Sequence, residues 1–339
     1  MKVLFYLGHP AHFHLFKNLF TKLIENGTEI KIVIKTKDIL EHLLIENNYK
    51  FINIYDKERK DNKLQILYAL IEKDIKLFNV ISKYKPNYLL GTSIEITHIG
   101  KLLNIPSIVV NEDDFDVVPE FAILSYPFAT KIIAPYCCKV GKIWENKRIG
   151  YNGYHELAYL HPKYYKPKKN YNINKYIIIR MSALNAYHDK NISGMTLELV
   201  KNIINKVKKE YFIFISYEGN IPEELKKYQL KIKYSEIHDF IYYASLVVSD
   251  SQTMSAEAAV LGTPSLRYND FVGRINYLEE LEHKYGLTFG FRKNEQKKLL
   301  DKLDDLLIKN NLKEIWKEKR NKMLSEVDDL NEVIYNELR

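Results

Sequence analysis

The first half of the chain alternates short apolar runs with segments that carry apolar residues at helical spacing. Lys2–Leu7 is rich in strand-forming residues, and Leu15–Glu25 then repeats apolar residues every three or four positions until Asn26-Gly27. The alternation continues. Further strands are predicted at Glu29–Ile34, Lys50–Ile54, Tyr88–Leu90, Ser107–Val110 and Lys131–Ala134, and helices at Asp38–Asn47 and Lys63–Tyr84. Strands separated by helices are typical of a parallel, doubly wound sheet.

A basic, aromatic segment with two prolines, His161–Asn170, interrupts this pattern and is typical of a linker. The alternation then resumes. Strands are predicted at Tyr176–Arg180, Tyr211–Ile215, Lys231–Lys233, Leu246–Ser249 and Ser265–Tyr268, and helices at Thr196–Lys209, Glu223–Tyr228, Ile237–Ala244, Met254–Leu261 and Arg274–Tyr285, with charged helices from Glu295 onward. We therefore predict an α/β protein with two Rossmann-like, doubly wound parallel-sheet domains that face a central cleft. The predicted parts are residues 1–160, a linker at 161–175, residues 176–325, and a C-terminal helix at 326–339.

Composition narrows the class of protein. The chain has 339 residues, of which 46% are hydrophobic and 28% charged, so it is globular and long enough for two cores. Its two cysteines, Cys137 and Cys138, are adjacent, which excludes a disulfide framework and a zinc ribbon. We expect a cytoplasmic protein, since no signal-peptide pattern and no apolar stretch of about 20 residues is present.

The net charge of +8 suits an anionic partner, such as a nucleotide or a phospholipid surface. The basic residues are scattered, and no module that binds nucleic acid is recognisable, so we expect no nucleic-acid partner.

The loop after the first predicted strand is the first candidate site, because ligands of open α/β sheets bind beyond the carboxyl ends of the strands. Gly8 allows a tight turn there, and His9, His12 and His14 follow at the start of a helix. Histidine titrates near neutral pH, so His12 suits a general base. No carboxylate or cysteine cluster accompanies the three rings, and we predict no metal. Helix capping and packing are the alternative roles.

The acidic loop at 111–116 is the second candidate. It follows Ser107–Val110 and contains four carboxylates, which suit a divalent cation or the orientation of an acceptor hydroxyl. A solvated acidic loop is the alternative, and the position directly after a strand favours a function for Asn111 and Glu112.

The third candidate is Arg180–Asp189, which follows the first strand of the second half. The Arg180 guanidinium suits a phosphate, and Ser182 offers a hydrogen bond. A surface loop is the alternative.

The fourth candidate is Ser249–Pro264, where a small-residue helix begins directly after a strand. The first N–H groups of such a helix lack partners inside it and suit a diphosphate, which the Ser251 and Thr253 hydroxyls would also contact. Glu257 lies about one turn into this helix, where its carboxylate can accept hydrogen bonds from the two hydroxyls of a ribose. The predicted contact residues are Asp250, Ser251, Gln252, Thr253, Met254 and Glu257. The alternative is an ordinary capped helix in which Glu257 balances the helix dipole.

These motifs resemble known families. Asp250–Pro264 is similar to the nucleotide-sugar signature of GT-B proteins, especially the UDP-N-acetylglucosamine 2-epimerases. The opening Gly8–His12 and the blocks Tyr151–Pro162, Arg180–Asp189 and Tyr243–Gly286 resemble domain-of-unknown-function family 354 over essentially the whole chain. The resemblance implies a nucleotide held mainly by the second domain, an acceptor held by the first, and a final helix that crosses back to the first domain.

Two further comparisons bear on catalysis. Gly8–His14 resembles the loop of the N-acetylglucosaminyltransferase that makes lipid II, and His12 takes the place of the loop histidine, although only one glycine is present here. The epimerases' motifs Gly-Thr-Arg-Pro-Glu and Gly-Asp-Thr are replaced by Gly8–His12 and Gly91-Thr92-Ser93, so their arginine and aspartate are absent. Glu112 and His188 match their later glutamate and histidine.

We therefore expect a metal-independent, inverting glycosyltransferase without a cofactor. The donor would be a nucleotide sugar, UDP-linked, and the acceptor a saccharide or a lipid-linked molecule of surface polysaccharide or glycolipid assembly. Two alternatives stay open: an epimerase that uses Glu112 and His188, and a non-catalytic protein that binds nucleotide sugars. A lipid-linked acceptor would bring peripheral contact with the inner face of the membrane, through the basic linker and the first helix. No local motif specifies an oligomeric state.

Overall fold

The computed structural model describes residues 1–36, 39–56, 63–169, 171–182, 194–217 and 219–339, without the side chains of residues 63, 64 and 67. The chain divides into two compact units. The first unit comprises Met1–Tyr159 and Val327–Arg339, and the second comprises Leu160–Glu326. Each unit is built around its own parallel sheet.

The first unit alternates strands and helices. Its elements are β1 (Lys2–Leu7), α1 (Pro10–Glu25), β2 (Glu29–Lys35), α2 (Leu40–Glu46), β3 (Phe51–Tyr55), α3 (Lys63–Tyr84), β4 (Tyr88–Gly91), α4 (Glu95–Leu103), β5 (Ser107–Val110), α5 (Pro119–Ser125), β6 (Lys131–Pro135), β7 (Arg148–Tyr151) and, at the boundary, α6 (Leu157–Leu160). The strands lie in the order β3-β2-β1-β4-β5-β6-β7, and every pairing is parallel. In the central strand β1, residues Val3–Leu7 are buried, as in a sheet that is covered on both faces.

The second unit repeats this plan on a smaller scale. Its elements are β8 (Tyr176–Met181), α7 (Leu197–Val207), β9 (Phe212–Tyr217), α8 (Ile237–Tyr243), β10 (Leu246–Ser249), α9 (Gln252–Leu261), β11 (Ser265–Tyr268), α10 (Asn276–His283), β12 (Thr288–Phe291), α11 (Gln296–Leu307) and α12 (Leu312–Leu324). The strand order is β12-β11-β10-β8-β9, again parallel throughout. The prediction of two parallel, doubly wound sheets is therefore confirmed.

The last helix, α13 (Leu330–Asn336), belongs to the first unit although it follows the whole second unit in the chain. It packs on α1, where Lys22 pairs with Glu332. The Asn331 side chain is buried and donates to the Ala158 carbonyl at 2.9 Å. Just before the helix, Asp328 accepts a hydrogen bond from the Asn152 backbone N–H at 2.7 Å.

Several element boundaries differ from the sequence predictions. The apolar repeat of helix α1 begins only at Leu15, but the helix itself begins at Pro10, within the segment predicted to open it, because the His9 side chain caps it and proline suits the first helical position. The predicted strand Lys231–Lys233 is irregular and mostly exposed, and only an isolated bridge joins Gln229 to Ile215. The predicted helix Glu223–Tyr228 is a short 3₁₀ helix. Strands β7 and β12 were not predicted.

None of the helices in the described part of the chain is both long enough and apolar enough to cross a bilayer.

Candidate functional site

The first group of predicted residues lies where β1 leads into α1. The His9 Nδ1 atom accepts a hydrogen bond from the Ala11 N–H at 3.2 Å, and the His12 Nδ1 atom accepts one from the Gly8 N–H at 3.1 Å. An imidazole that accepts at Nδ1 carries its proton on Nε2 when it is neutral. In this arrangement His12 is therefore a hydrogen-bond donor at Nε2.

The space around residue 8 explains why a glycine stands there, and His14 lies in a different environment from His9 and His12. A Cβ atom on residue 8 would lie only 3.0 Å from Cε of Lys35, so glycine leaves room for that side chain. The His14 ring is half-buried and packs on Tyr159, with 5.3 Å between the ring centroids. The structure thus brings Gly8, His9 and His12 together, whereas His14 contacts Tyr159 on α6.

The second group lies after β5, where Asn111 and Glu112 have different environments. The buried Asn111 amide donates to the Tyr126 hydroxyl at 3.0 Å and to the Asp113 carbonyl at 3.1 Å. Asp114 is also buried, and its carboxylate accepts from the Lys139 N–H at 2.8 Å. These two side chains therefore hold the acidic loop in place.

Glu112 faces the loop that follows β7. Its Oε2 atom accepts a hydrogen bond from the His155 N–H at 2.9 Å, and its Oε1 atom lies 3.5 Å from His155 Nδ1. Burial, and then the charge of Glu156, raise the pKa of Glu112 well above its ordinary value. Burial lowers the pKa of His155 to about 3. Both shifts favour the uncharged forms, which are a protonated Glu112 carboxyl and a neutral His155 ring.

Sequence reasoning missed the residues that surround Glu112. Glu156 and Tyr151 are each 1% exposed. The Tyr151 hydroxyl and His155 Nε2 have no hydrogen-bond partner among the residues that the structure describes. All three residues belong to the block Tyr151–Pro162, which was singled out only as a family motif. Tyr151 ends the parallel strand β7, and His155 and Glu156 follow it, a position that would have identified them had β7 been predicted.

The third group lies at the carboxyl ends of β8 and β10 in the second unit, where Arg180 pairs with Ser249 across the two strands. The Arg180 Nη1 atom donates to the Ser216 hydroxyl at 2.8 Å. The Asp250 carboxylate accepts from the N–H of Ser182 at 2.7 Å and from the N–H of Met195 at 2.9 Å.

Asp250 therefore binds the backbone on both sides of residues 183–193. A Cβ atom on Gly194 would lie 2.3 Å from Asp250 Oδ2, so the contact requires glycine there. Burial raises the pKa of Asp250, and these hydrogen bonds oppose the shift. The predicted catalytic residue His188 lies outside the described residues.

Helix α9 begins directly after β10, and Ser251 is its N-cap. The Ser251 hydroxyl accepts from the Met254 N–H at 3.5 Å, while the Ser249 hydroxyl accepts from the Ser251 N–H at 2.9 Å. Gln252 and Thr253 form the half-buried first turn, whose N–H groups lack partners inside the helix. The buried alanines of α9 let its backbone pack closely on β10 and β11.

Glu257, the predicted ribose ligand, is buried one turn into α9. Its Oε1 atom lies 3.0 Å from Nε2 of the buried His238, on α8. Sequence reasoning did not single out His238. Glu257 thus faces a neighbouring helix, and its hydrogen bond to histidine fixes the orientation of the carboxylate.

One cluster with metal-ligating side chains, Glu279, Glu282 and His283, is found among the described residues. The buried Arg267 side chain donates to Glu279 at 3.2 Å and to Glu282 at 2.5 Å. These carboxylates therefore neutralise a buried arginine, and the cluster gives no reason to infer a metal.

The two parallel-sheet α/β units match solved structures of the GT-B fold. The UDP-GlcNAc 2-epimerase from Neisseria meningitidis bound to UDP-GlcNAc matches with a TM-score of 0.66 at 14% identity, covering 100% of this chain and 99% of that one. The Streptomyces sp. SF2575 glycosyltransferase SsfS6 matches with a TM-score of 0.60 at 11% identity, covering 99% of each chain. The spinosyn rhamnosyltransferase SpnG complexed with thymidine diphosphate matches with a TM-score of 0.64 at 10% identity, covering 100% of both chains.

Sequence comparison assigns the family. Residues 1–338 match the family described as "Protein of unknown function (DUF354)", and the chain belongs to that family. The resemblance found in the sequence motifs is therefore confirmed. No curated protein matches the chain by sequence.

Proposed function

We propose that the protein is an enzyme that transfers a sugar from a nucleotide-activated donor, UDP-linked, to a hydroxyl acceptor of surface polysaccharide or glycolipid assembly. The observation that carries the proposal is the β10–α9 junction in the second unit. A helix whose first N–H groups lack partners inside it starts directly beyond the carboxyl end of a central strand, where open α/β sheets bind ligands.

The second unit would bind the donor through this junction. The diphosphate would accept hydrogen bonds from the first turn of α9, at Gln252 and Thr253, and Arg180 would add positive charge beside it. Glu257, oriented by His238, would accept hydrogen bonds from the ribose. Electrostatic stabilisation of a departing diphosphate is worth several kcal/mol. No step requires a metal or a cofactor.

In the first unit, His12 is the residue proposed to deprotonate the acceptor hydroxyl. Its hydrogen bond from the Gly8 N–H occupies Nδ1, and the neutral ring then carries its proton on Nε2. To act as a base, the ring must exchange the Gly8 N–H for the hydroxyl of the acceptor at Nδ1. A base so placed contributes about 10²–10⁴-fold to the rate.

Epimerisation of the sugar is the second candidate, and the environment of Glu112 favours it. An epimerase needs no acceptor, but it needs a group that holds a proton near neutral pH and can give it up. The buried Glu112 carboxyl, with its raised pKa, suits that requirement. His188 was predicted as its partner.

The deciding experiment incubates the pure protein with a panel of nucleotide sugars, without acceptor, and follows the products by NMR. Slow release of UDP from one donor, without isomerisation, supports the transferase and identifies the donor. A new epimer without added acceptor contradicts the transferase. Binding without either reaction contradicts hydrolytic and epimerase activity and directs the search to the acceptor.

Two matched pairs of variants assign the residues. His12→Gln should lower turnover in the transferase, while His42→Gln, which changes an exposed histidine on α2, should not. Glu112→Gln should abolish epimerisation, while Glu120→Gln on the exposed surface of α5 should leave it unchanged.

A further inference from the structure

Part of the segment that the sequence predicts as a linker is bound to helix α8. Two groups from residues 161–169 converge on one carboxylate, because the Tyr165 hydroxyl and the Lys168 N–H both donate to Oδ1 of Asp239. The bond from the Lys168 N–H is 2.9 Å long. All of these residues belong to the second unit, so the contact is internal to that unit.

The burial of Asp239 gives this contact its weight. Asp239 is 8% exposed, and Tyr165 is half-buried beside it. A carboxylate that is removed from water needs hydrogen-bond donors in place of its hydration, and here the segment supplies two of them. The hydrogen bond therefore holds the Tyr165 side chain at a fixed place on α8.

The Tyr165 ring continues the contact toward the predicted ribose ligand. It packs edge-on against the ring of His238, the residue before Asp239 on α8, with 6.3 Å between the centroids and 82° between the planes. The Nε2 atom of His238 lies 3.0 Å from Oε1 of Glu257 on α9. A line of direct contacts thus joins the segment to the Glu257 carboxylate.

This packing acts on the direction in which the His238 ring points. The rotation of an imidazole about its Cβ–Cγ bond is only weakly restricted by its own geometry. A second ring packed against it restricts that rotation and so fixes the position of Nε2. Because Nε2 faces the Glu257 carboxylate, the packing of Tyr165 on His238 also restricts the orientation of the carboxylate.

We propose that Tyr165 is a positioning residue for ribose recognition, which acts on Glu257 through His238. The inference rests on the proposed function, in which Glu257 accepts hydrogen bonds from the ribose. A carboxylate that is oriented before the ligand arrives binds the two hydroxyls without a further cost of ordering. The protein should therefore select a nucleoside diphosphate with a complete ribose over its 2′-deoxy analogue, and this selectivity should depend on Tyr165.

The test is calorimetric titration of the full chain with UDP and with 2′-deoxy-UDP. The ratio of the two dissociation constants measures recognition of the 2′-hydroxyl. The native protein should bind UDP at least about tenfold more tightly, as expected for one hydrogen bond to a charged group. Tyr165→Phe should lower this ratio at least about threefold and leave the affinity for 2′-deoxy-UDP within about twofold. Glu257→Gln should lower the ratio the most.

Tyr171 provides a matched control from the same connection. Its hydroxyl donates to the carboxylate of Glu236, the residue before α8, and its ring packs on Phe240. Tyr171→Phe therefore removes a hydrogen bond of the same kind as Tyr165→Phe, but at a distance from His238 in the chain of contacts. This variant should keep the native ratio. A merely structural effect of losing a tyrosine hydroxyl would be similar in the two variants.

Circular dichroism verifies the fold of each variant, and Asp239→Asn replaces Tyr165→Phe where the latter does not fold. Two results would overturn this inference alone: a native ratio in Tyr165→Phe, or an equal fall of the ratio in Tyr165→Phe and Tyr171→Phe. A native protein that binds neither nucleotide would contradict the proposed donor site. Equal native affinities for the two nucleotides would remove Glu257 from the ribose. Either of these last results would also overturn the role of Tyr165.

Discussion

Replacing Glu112 by glutamine should stabilise the first unit relative to the native protein, by an amount that grows as the pH rises. The substitution removes a buried ionisable group and keeps the local hydrogen bonds. The glutamine oxygen can accept from the His155 N–H, as Glu112 does at 2.9 Å, and its amide can face His155 Nδ1, which lies 3.5 Å from the present carboxyl. The change therefore isolates the free energy of ionisation from that of packing.

The sign and size follow from the raised pKa of Glu112, caused by burial and then by the charge of Glu156. A carboxyl with a higher pKa in the folded state contributes stability that is complete below its unfolded pKa and is lost as the pH rises to the folded pKa. A change of one pH unit within this range changes the free energy of unfolding by about 1.4 kcal/mol for one group. The difference in unfolding free energy, variant minus native, should therefore grow by up to about 1.4 kcal/mol per pH unit above about pH 4.5. His155 titrates in both proteins, and its contribution cancels in the difference.

The two tryptophans of the chain provide the assay, because each unit contains one of them. Trp144 packs on Phe115 and Tyr126 in the first unit, and Trp316 lies in the second. In a Trp316→Phe background, fluorescence reports urea unfolding of the first unit, measured between about pH 5 and pH 7 with and without the Glu112→Gln substitution. The control Glu120→Gln should change the unfolding free energy by less than about 0.5 kcal/mol at each pH. A difference that stays flat or shrinks with rising pH would refute the reasoning, since Glu112 would then be ionised in its buried position.

The other predictions concern the contacts at the sheet edges. Gly194→Ala places a Cβ atom 2.3 Å from the Asp250 carboxylate and should destabilise the second unit by about 2–4 kcal/mol. Urea unfolding followed by Trp316 fluorescence, in a Trp144→Phe background, measures this effect. An unchanged urea midpoint would contradict the prediction. Ser251→Ala removes the cap of α9 and should cost about 1 kcal/mol of stability in the same assay, and it should weaken UDP binding in calorimetry; tighter binding would count against a diphosphate site at that helix. His12→Gln should lower the turnover number at least about 10²-fold while donor affinity stays within about twofold, and equal turnover of the two proteins would remove His12 from the mechanism.

The fold could be predicted largely from the sequence because parallel strands that are buried on both faces appear as short, continuous apolar runs. Lys2–Leu7 and Leu246–Ser249 are of this kind, and both became central strands. Strand β7 was not predicted because its sequence, Arg148-Ile149-Gly150-Tyr151, contains a charge and a glycine. The strand also lies at an edge of its sheet. At an edge, one side of a strand lacks a neighbour, so the apolar signal is weak.

Residues of the candidate site could be predicted only where the strand before them was also predicted. Asp250 and Ser251 were identified because they follow a clear strand, but their different tasks were not readable from the sequence. The Asp250 carboxylate binds the backbone at Ser182 and Met195, residues that are far away in the chain. The partnership of Glu257 with His238 likewise joins two helices, and no local spacing encodes such a contact.

The position of α13 has a consequence for synthesis of the protein. The first unit includes residues from the beginning and the end of the chain, so it cannot be completed on the ribosome until the second unit has been made and Val327–Arg339 has emerged. Until then the surface of α1 that later contacts α13 stays uncovered, and the Lys22 ammonium lacks its Glu332 partner. Truncation after Glu326 would therefore damage the first unit, although the lost residues follow the whole second unit in the chain.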